Sequence, residues 1–265
     1  MIDRQLLMKV VDIAEHAGRE IMAIYATDFG VEHKADSSPL TAADMAAHRC
    51  ILAGLEGVGV DIPILSEESA DEVTSDERRT WSRHWLVDPL DGTKEFVKKN
   101  GEFTVNIALI EDGSATLGVV HVPATAVTYY AAHGVGAFRL ESAVESPISV
   151  TLPPATPIRV AGSRSHSNDQ TREFIERLGD AEVVSIGSAL KLCLVADGTV
   201  DVYPRFGPTS EWDTAAAQCV VEQAGGQVTN MALEVLRYNE RDTLLNPHFL
   251  VVGDSSLPWQ QYIDG

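Results

Sequence analysis

Positive charge is scarce in this sequence: 20 Lys and Arg stand against 39 Asp and Glu, a formal net charge of −19. A surface so acidic lacks the basic stripe that neutralises a phosphate backbone, which excludes nucleic-acid polymers as partners. A small phosphorylated molecule stays admissible, because a bound cation inverts the local field. Cysteine is scarce too. Cys50, Cys193 and Cys219 stand far apart and without CxxC pairs, which excludes a zinc ribbon and a disulfide framework and suits reduced thiols in a cytoplasm. No apolar run approaches the ~20 residues of a membrane-spanning helix, and Met1-Ile2-Asp3-Arg4-Gln5 opens no secretory signal. Repeats and low-complexity tracts are missing as well. The expectation is a soluble cytoplasmic chain, monomer or homodimer, free or peripheral on the cytoplasmic face of an inner membrane.

What is present begins with size. At 265 residues, 45% of them hydrophobic, the chain buries a core without disulfides. Leu6, Val10, Ala14, Ala17, Ile21 and Ile24 recur on one face of a helix from Asp3 to about Tyr25. A second helix is expected from about Thr41, after Ser37-Ser38-Pro39, to about Leu55. Ile62 to Ser66 reads as a short buried strand, Asp71 to Arg83 as a polar surface excursion, and Trp85 to Asp88 as a strand that stops at Pro89. From Thr104 to Ala132 the pattern is β-rich, with a hairpin turn at Glu111-Asp112-Gly113. The Ser-, Thr- and Pro-rich stretch from Glu141 to Pro157 divides the chain into an N-terminal half, 1–150, and a C-terminal half, 151–265. Beyond it strands (Ile158–Ala161, Glu182–Ile186, Val200–Tyr203, Phe249–Val252) alternate with helices (Asn168–Leu178, Ser188–Ala196, Trp212–Gln223). The whole reads as layered α and β structure.

The chemistry gathers around Asp88-Pro89-Leu90-Asp91-Gly92-Thr93. Asp88 ends an apolar strand, and Asp91 follows on the same side. Two such carboxylates cannot both be charged and close without a cation between them. Hard oxygen donors, with the Leu90 carbonyl as a further one, suit Mg²⁺ rather than zinc or copper. Gly92 removes side-chain bulk, and the N–H groups opening a helix at Thr93 offer a place for phosphate. Read alone, the segment is equally a strand end, a turn and a helix cap. Other acids at element ends favour the metal site: Glu67 and Glu68 after one strand, Asp213 at the start of a helix, Asp44 on the second helix. Taken singly, Asp213 reads as an ordinary N-cap, and Glu68 and Asp44 as exposed acids. As a group they supply what a two-metal site requires.

Leu65-Ser66-Glu67-Glu68-Ser69, Trp85-Leu86-Val87-Asp88-Pro89-Leu90-Asp91-Gly92-Thr93 and Glu211-Trp212-Asp213-Thr214-Ala215-Ala216 resemble, in order and spacing, the inositol-monophosphatase superfamily. The resemblance spans nearly the whole chain. It implies a five-layered αβαβα sandwich and a magnesium-dependent phosphatase, lithium-sensitive, with two Mg²⁺ per site and room for a third, looser ion near Glu67. Glu67, Asp88 and the Leu90 carbonyl would hold one ion; Asp88, Asp91 and Asp213 the second. Thr93, paired with Asp44, would orient the water that attacks phosphorus, so that Thr93, Asp44 and Glu67 are the catalytic candidates. The Gly92 and Thr93 N–H groups would bind the phosphate.

Within that superfamily, Asp91-Gly92-Thr93-Lys94-Glu95-Phe96, Asn100-Gly101-Glu102-Phe103-Thr104-Val105-Asn106, Gly162-Ser163-Arg164-Ser165-His166 and Gly187-Ser188-Ala189-Leu190-Lys191 look like the bacterial CysQ type of 3'(2'),5'-bisphosphate nucleotidase. That implies removal of the 3'-phosphate from adenosine 3',5'-bisphosphate, a by-product of sulfur assimilation, to give AMP. Ser163, His166, Ser188, Lys191 and Arg205 would then contact the nucleotide, the cations suiting a second phosphate. Read without the resemblance, His166 is an exposed loop histidine and Lys191 a solvated helix lysine. An inositol monophosphatase or sugar-bisphosphatase keeps the same metal site with another substrate. A non-catalytic phosphate-binding module would require loss of an acid or of Thr93, and all are present.

Overall fold

The computed structural model describes residues 3–27, 39–58, 61–163 and 168–263. Asp3 accepts the Leu6 N–H at 2.8 Å and caps helix α1 (Arg4–Tyr25). Leu7, Val10, Val11, Ala14, Ala17 and Ile21 are buried along it, while Leu6 and Ile24 lie at the edge of the face, half-buried. Helix α2 (Pro39–Glu56) lies beside it, its expected approach through Ser37-Ser38 falling outside the described residues. Together they cover one face of a seven-stranded sheet: β1 (Ile64–Ser66), β2 (Arg83–Asp91), β3 (Thr104–Glu111), β4 (Ser114–Val122), β5 (Val127–Ala132), β6 (Gly136–Glu141) and β7 (Val144–Pro147), in that spatial order. Only β1 and β2 run parallel; every other neighbour is antiparallel.

Helices α6 (Leu190–Ala196) and α7 (Glu211–Gln223) cover the opposite face. They also cover a second, mixed sheet of β11 (Gln227–Asn230), β12 (Phe249–Val252), β10 (Val202–Arg205), β8 (Ile158–Ser163) and β9 (Ala181–Ile186). Outside it lie α5 (Asp169–Leu178) and α8 (Gln260–Ile263). The layers run helix, sheet, helix, sheet, helix, the five-layered sandwich anticipated above. The central strands are buried on both faces, which is why β2 to β5 and β12 read as near-continuous apolar runs. No helix among the described residues is long and apolar enough to cross a membrane.

Two readings need correction. β2 does not stop at Pro89 but runs on to Asp91. The segment 71–83 is not wholly surface: it takes in the end of a 3₁₀ turn (Glu67–Glu72) and helix α3 (Ser75–Arg78), and Arg78 is 1% exposed. Within the stretch from Glu141 to Pro157, β7 is still part of the first sheet. The sheets separate between Pro147 and Ile158, yet a single apolar cluster of Leu86, Ala108, Ala216, Cys219 and Val251 joins them through α7.

Candidate active site

The register of β2 against β3 explains how Asp88 and Asp91 come together. Asp88 pairs with Asn106 and Asp91 with Thr104, so three steps along β2 match two along β3. That is a bulge, at Pro89 and Leu90, where a residue without an N–H is tolerated. In a regular strand residues three apart face opposite ways. The extra residue restores Asp91 to the face of Asp88, toward α7, while Leu90 turns into the core under α1 and α2, 0% exposed. After Asp91, Gly92 caps the short helix α4 (Thr93–Val97) at φ +93°. A Cβ there would be strained by that φ and would meet the Glu102 carbonyl oxygen at 3.0 Å.

Three N–H groups orient the acids. Leu90 N–H donates to Asp88 Oδ1 at 3.0 Å, Ala189 N–H to Asp91 Oδ2 at 2.6 Å, and Ser210 N–H to Asp213 Oδ2 at 2.9 Å. Asp213 therefore serves as the third residue of a capping box on α7 and faces the cluster as well. Burial holds the Asp88 carboxyl well above the usual carboxylate range, and Asp91, Glu67, Asp213 and Asp44 push it the same way. Burial and then Asp91 raise Asp213 to about 8. Burial and then Glu68 raise Asp44 to about 8. Glu67 and Asp91 are raised by burial too, Asp91 being drawn partly back by Lys191. Five acids, contributed by α2, the 3₁₀ turn, β2 and α7, thus converge at one sheet edge.

Such a set fits a hard divalent cation. Asp44 is 7% exposed and its Oδ1 has no hydrogen-bond partner; Asn106, beside Asp88 on β3, is 1% exposed with both amide atoms unpartnered. Each buried oxygen left in this condition costs about 1–3 kcal/mol until something binds it. Among the described residues no three His, Cys, Asp or Glu side chains are already drawn into a coordination shell. Mg²⁺ does not ask for one, since it keeps several waters beside one or two carboxylates.

Not every expected contact forms. No hydrogen bond joins Thr93 to Asp44; Asp44 shares one with Glu68, and Glu67 with Asp88. Glu68, read singly as a solvated acid, is therefore part of the cluster. Thr93 is exposed and lines a cleft of about 200 Å³ with Asp91, Ser188, Lys191, Arg205 and Asp213. Lys191 is not a solvated lysine: it is 5% exposed, donates to the Ser188 carbonyl oxygen at 2.7 Å, and its ammonium stands 5.4 Å over the Tyr203 ring. Burial pulls it down to about 8, with Asp91 opposing. The Arg205 guanidinium donates to Pro208 O at 3.1 Å and lies close enough to Asp91 and Asp213 to lower both. Ser163 ends β8, but its side chain and His166 lie outside the described residues. Asn106 was legible only as part of an apolar strand; its pairing with Asp88 depends on register.

Comparison with known proteins agrees with this geometry. The chain is 50% identical over 248 residues to the 3'(2'),5'-bisphosphate nucleotidase CysQ of Salmonella typhimurium, covering 93% of this chain and 99% of that one. Among solved structures, CysQ from Bacteroides thetaiotaomicron, 41% identical, superposes with a TM-score of 0.81 over 93% of this chain and 96% of its own. An inositol monophosphatase from Zymomonas mobilis, 22% identical, shares the fold at a TM-score of 0.79, covering 98% and 97%. The model of the inositol monophosphatase family matches residues 3–257, and the chain belongs to that family.

Proposed function

We propose that this chain is a Mg²⁺-dependent phosphatase that removes the 3'-phosphate of adenosine 3',5'-bisphosphate, giving AMP and phosphate. The observation that carries the choice of substrate is the cationic wall. Lys191 and Arg205 face the acid cluster across the cleft, where a second phosphate has partners while the first meets the metals. The CysQ name of relatives up to 50% identical points the same way.

Glu67, Asp88, the Leu90 carbonyl, Asp91 and Asp213 are the residues that would hold two Mg²⁺. When bound, the ions neutralise phosphate charge, stabilise the leaving oxygen and make water a better nucleophile. The chain does the rest. Leu90, Ala189 and Ser210 hold three carboxylates in place through their N–H groups before substrate arrives. Gly92 and Thr93 open α4 toward the cleft, where their N–H groups receive the phosphate oxygens. The Thr93 hydroxyl orients the attacking water, and Asp44 and Glu67 accept its proton as the new P–O bond forms. The bond to the 3'-oxygen breaks as it does so, and the proton released to the acids returns through water to that oxygen, which leaves as the ribose hydroxyl. No side-chain nucleophile is required, because phosphoryl transfer is served by positioning and charge. Cys50, Cys193 and Cys219 are unpaired thiols, which accords with work in a reducing cytoplasm.

Phosphate release measured in parallel from adenosine 3',5'-bisphosphate, inositol 1-phosphate and fructose 1,6-bisphosphate, with Mg²⁺, tests the reading. The nucleotide should give the highest kcat/KM. A higher value for inositol 1-phosphate would sink the nucleotide assignment and leave the phosphatase standing.

A further inference from the structure

Glu95 and Glu102 lie in the segments that flank the acid cluster, yet the hydrolysis above uses neither. In the fold both reach the opposite half. The Gly187 N–H donates to Glu102 Oε2 at 2.8 Å. A Cβ on Gly187 would stand 2.8 Å from Glu95 Cγ, 3.1 Å from the Glu102 carbonyl oxygen and 3.2 Å from Glu102 Cβ, so the approach is one that glycine alone permits. Two residues on, Ala189 N–H donates to Asp91 Oδ2 at 2.6 Å. Between these ties Ser188 is held at φ 48°, a left-handed conformation that non-glycine residues keep only where the surroundings over-determine it. Lys191 completes the restraint by donating to the Ser188 carbonyl oxygen at 2.7 Å. Three consecutive residues of this loop are each tied, and the loop supplies Ser188 and Lys191 to the cleft.

Glu102 is itself a fixed anchor. Its N–H donates to Asn100 Oδ1 at 3.0 Å. The next residue, Phe103, is 0% exposed and packs on Tyr25 and Phe96 with ring centroids 4.9 and 5.4 Å away. The Glu102 carbonyl oxygen borders Gly92 at the start of α4. One residue therefore touches the phosphate end of the cleft through its backbone and the opposite wall through its carboxylate.

We propose that Glu102 is the positioning residue for substrate selection: through Gly187 it sets the span between the acid cluster and the Ser188–Lys191 wall. That span is the distance between two phosphates on one substrate. A nucleotide as the selected substrate rests on the nucleotidase reading; the clasp itself stands on the geometry. Without the carboxylate, the Gly187 N–H loses its acceptor, Ser188 relaxes from its left-handed conformation, and the wall withdraws from the second phosphate. Ala189 keeps its own 2.6 Å tie to Asp91, and Leu90 and Ser210 keep theirs to Asp88 and Asp213, so a substrate with one phosphate is less affected than one with two.

Three variants test this in the Mg²⁺-loaded enzyme. Glu102→Ala should raise KM for adenosine 3',5'-bisphosphate about tenfold, the usual size for a lost hydrogen bond to a charged group, with the smaller part of the effect on kcat. KM for adenosine 3'-monophosphate should move by less than about threefold. Glu102→Gln, which keeps an acceptor oxygen, should return KM to within about threefold of the parent. Gly187→Ala wedges the same contact apart and should behave like Glu102→Ala. Amide hydrogen exchange over 186–191 should quicken in Glu102→Ala and Gly187→Ala but not in Glu102→Gln. Unchanged exchange in both former variants overturns the clasp. Quickened exchange with an equal rise in KM for the mono- and bisphosphate overturns the role in selection. Should the parent enzyme fail to turn over the bisphosphate at all, the nucleotidase reading falls, and the exchange measurement still decides the clasp.

Discussion

Asp88 is 1% exposed, and Asp91, Glu67, Asp213 and Asp44 all oppose its charge. Its one N–H donor among the described residues is Leu90 at 3.0 Å, and the other hydrogen bond it makes is to a second acid, Glu67. Asp88→Asn keeps an oxygen for that N–H and removes one of the repelling charges. Two effects of opposite sign follow. Turnover should fall by at least about 10³-fold, as when a ligand shared by two metals is lost. The metal-free protein at pH 8 should gain about 1 kcal/mol, read as a Tm higher by about 2–4 °C. A lower Tm in the metal-free variant would mean that Asp88 acts in the fold rather than in the site. At this scale the sequence was most readable where an acid sits next to a backbone break, as at Asp88 to Gly92. Asn106 was not readable, and Glu68 only as one acid of a group. Their partners, Asp88 and Asp44, lie 18 and 24 residues away along the chain and are met only through packing and register.

Among the elements, the β2 bulge and helix α3 show how local pattern misleads. Pro89 reads as a strand end because it has no N–H, but a bulge needs none at that point, and β2 resumes at Asp91. The charged run from 71 to 83 reads as solvated, yet Arg78 points inward. Its guanidinium donates to Asn239 Oδ1, Arg241 O and Asp242 O at 2.8, 2.7 and 2.6 Å. Asn239 and Arg241 in turn hold Glu211, the first residue of α7, which is 0% exposed. This lattice fastens the segment after Glu67 to the helix start that presents Asp213. Arg78→Met should therefore lower stability by about 3 kcal/mol, since three bonds from a buried guanidinium go together, one of them to buried Asn239. Its neighbour Arg79, paired only with exposed Asp76 and Asp242, should change it by less than about 1 kcal/mol on replacement by Ala. Urea unfolding of the two variants side by side checks the contrast; equal midpoints would refute it. Strands β6, β7 and β11 escaped the sequence for a related reason. β7 is exposed throughout, so it carries no alternation, and pairing with β6 alone makes it a strand.

For the molecule as a whole, the acid cluster makes stability a function of pH and metal together. In the folded chain Asp44 and Asp213 titrate near 8, far above the ordinary value of 3.8. Below about pH 4 folded and unfolded chains both hold these protons. Between about pH 4 and 8 the unfolded chain releases them while the folded chain keeps them, so the metal-free fold loses stability as pH rises through that window and levels off above it. Mg²⁺ bound at the cluster as proposed would displace such protons, that of Asp213 first. The rise in Tm on adding Mg²⁺ should accordingly be larger at pH 8 than at pH 6, with proton release in calorimetry at pH 7. An increment independent of pH would mean that the cation binds away from these carboxylates.

The sequence by itself determined the layered α/β class, the apolar faces of the helices, and the acidic motifs with their order along the chain. Those depend on periodicity and on backbone chemistry within a few residues, which a single stretch of chain contains. Only the tertiary structure decided that an extra residue in β2 brings Asp88 and Asp91 onto one face. It also decided that Lys191 is buried against the cleft, and that Glu102 in the first half grips Gly187 in the second. These are matters of register, burial and close approach between distant segments. They are settled by how the layers fill space together, and no local pattern encodes them.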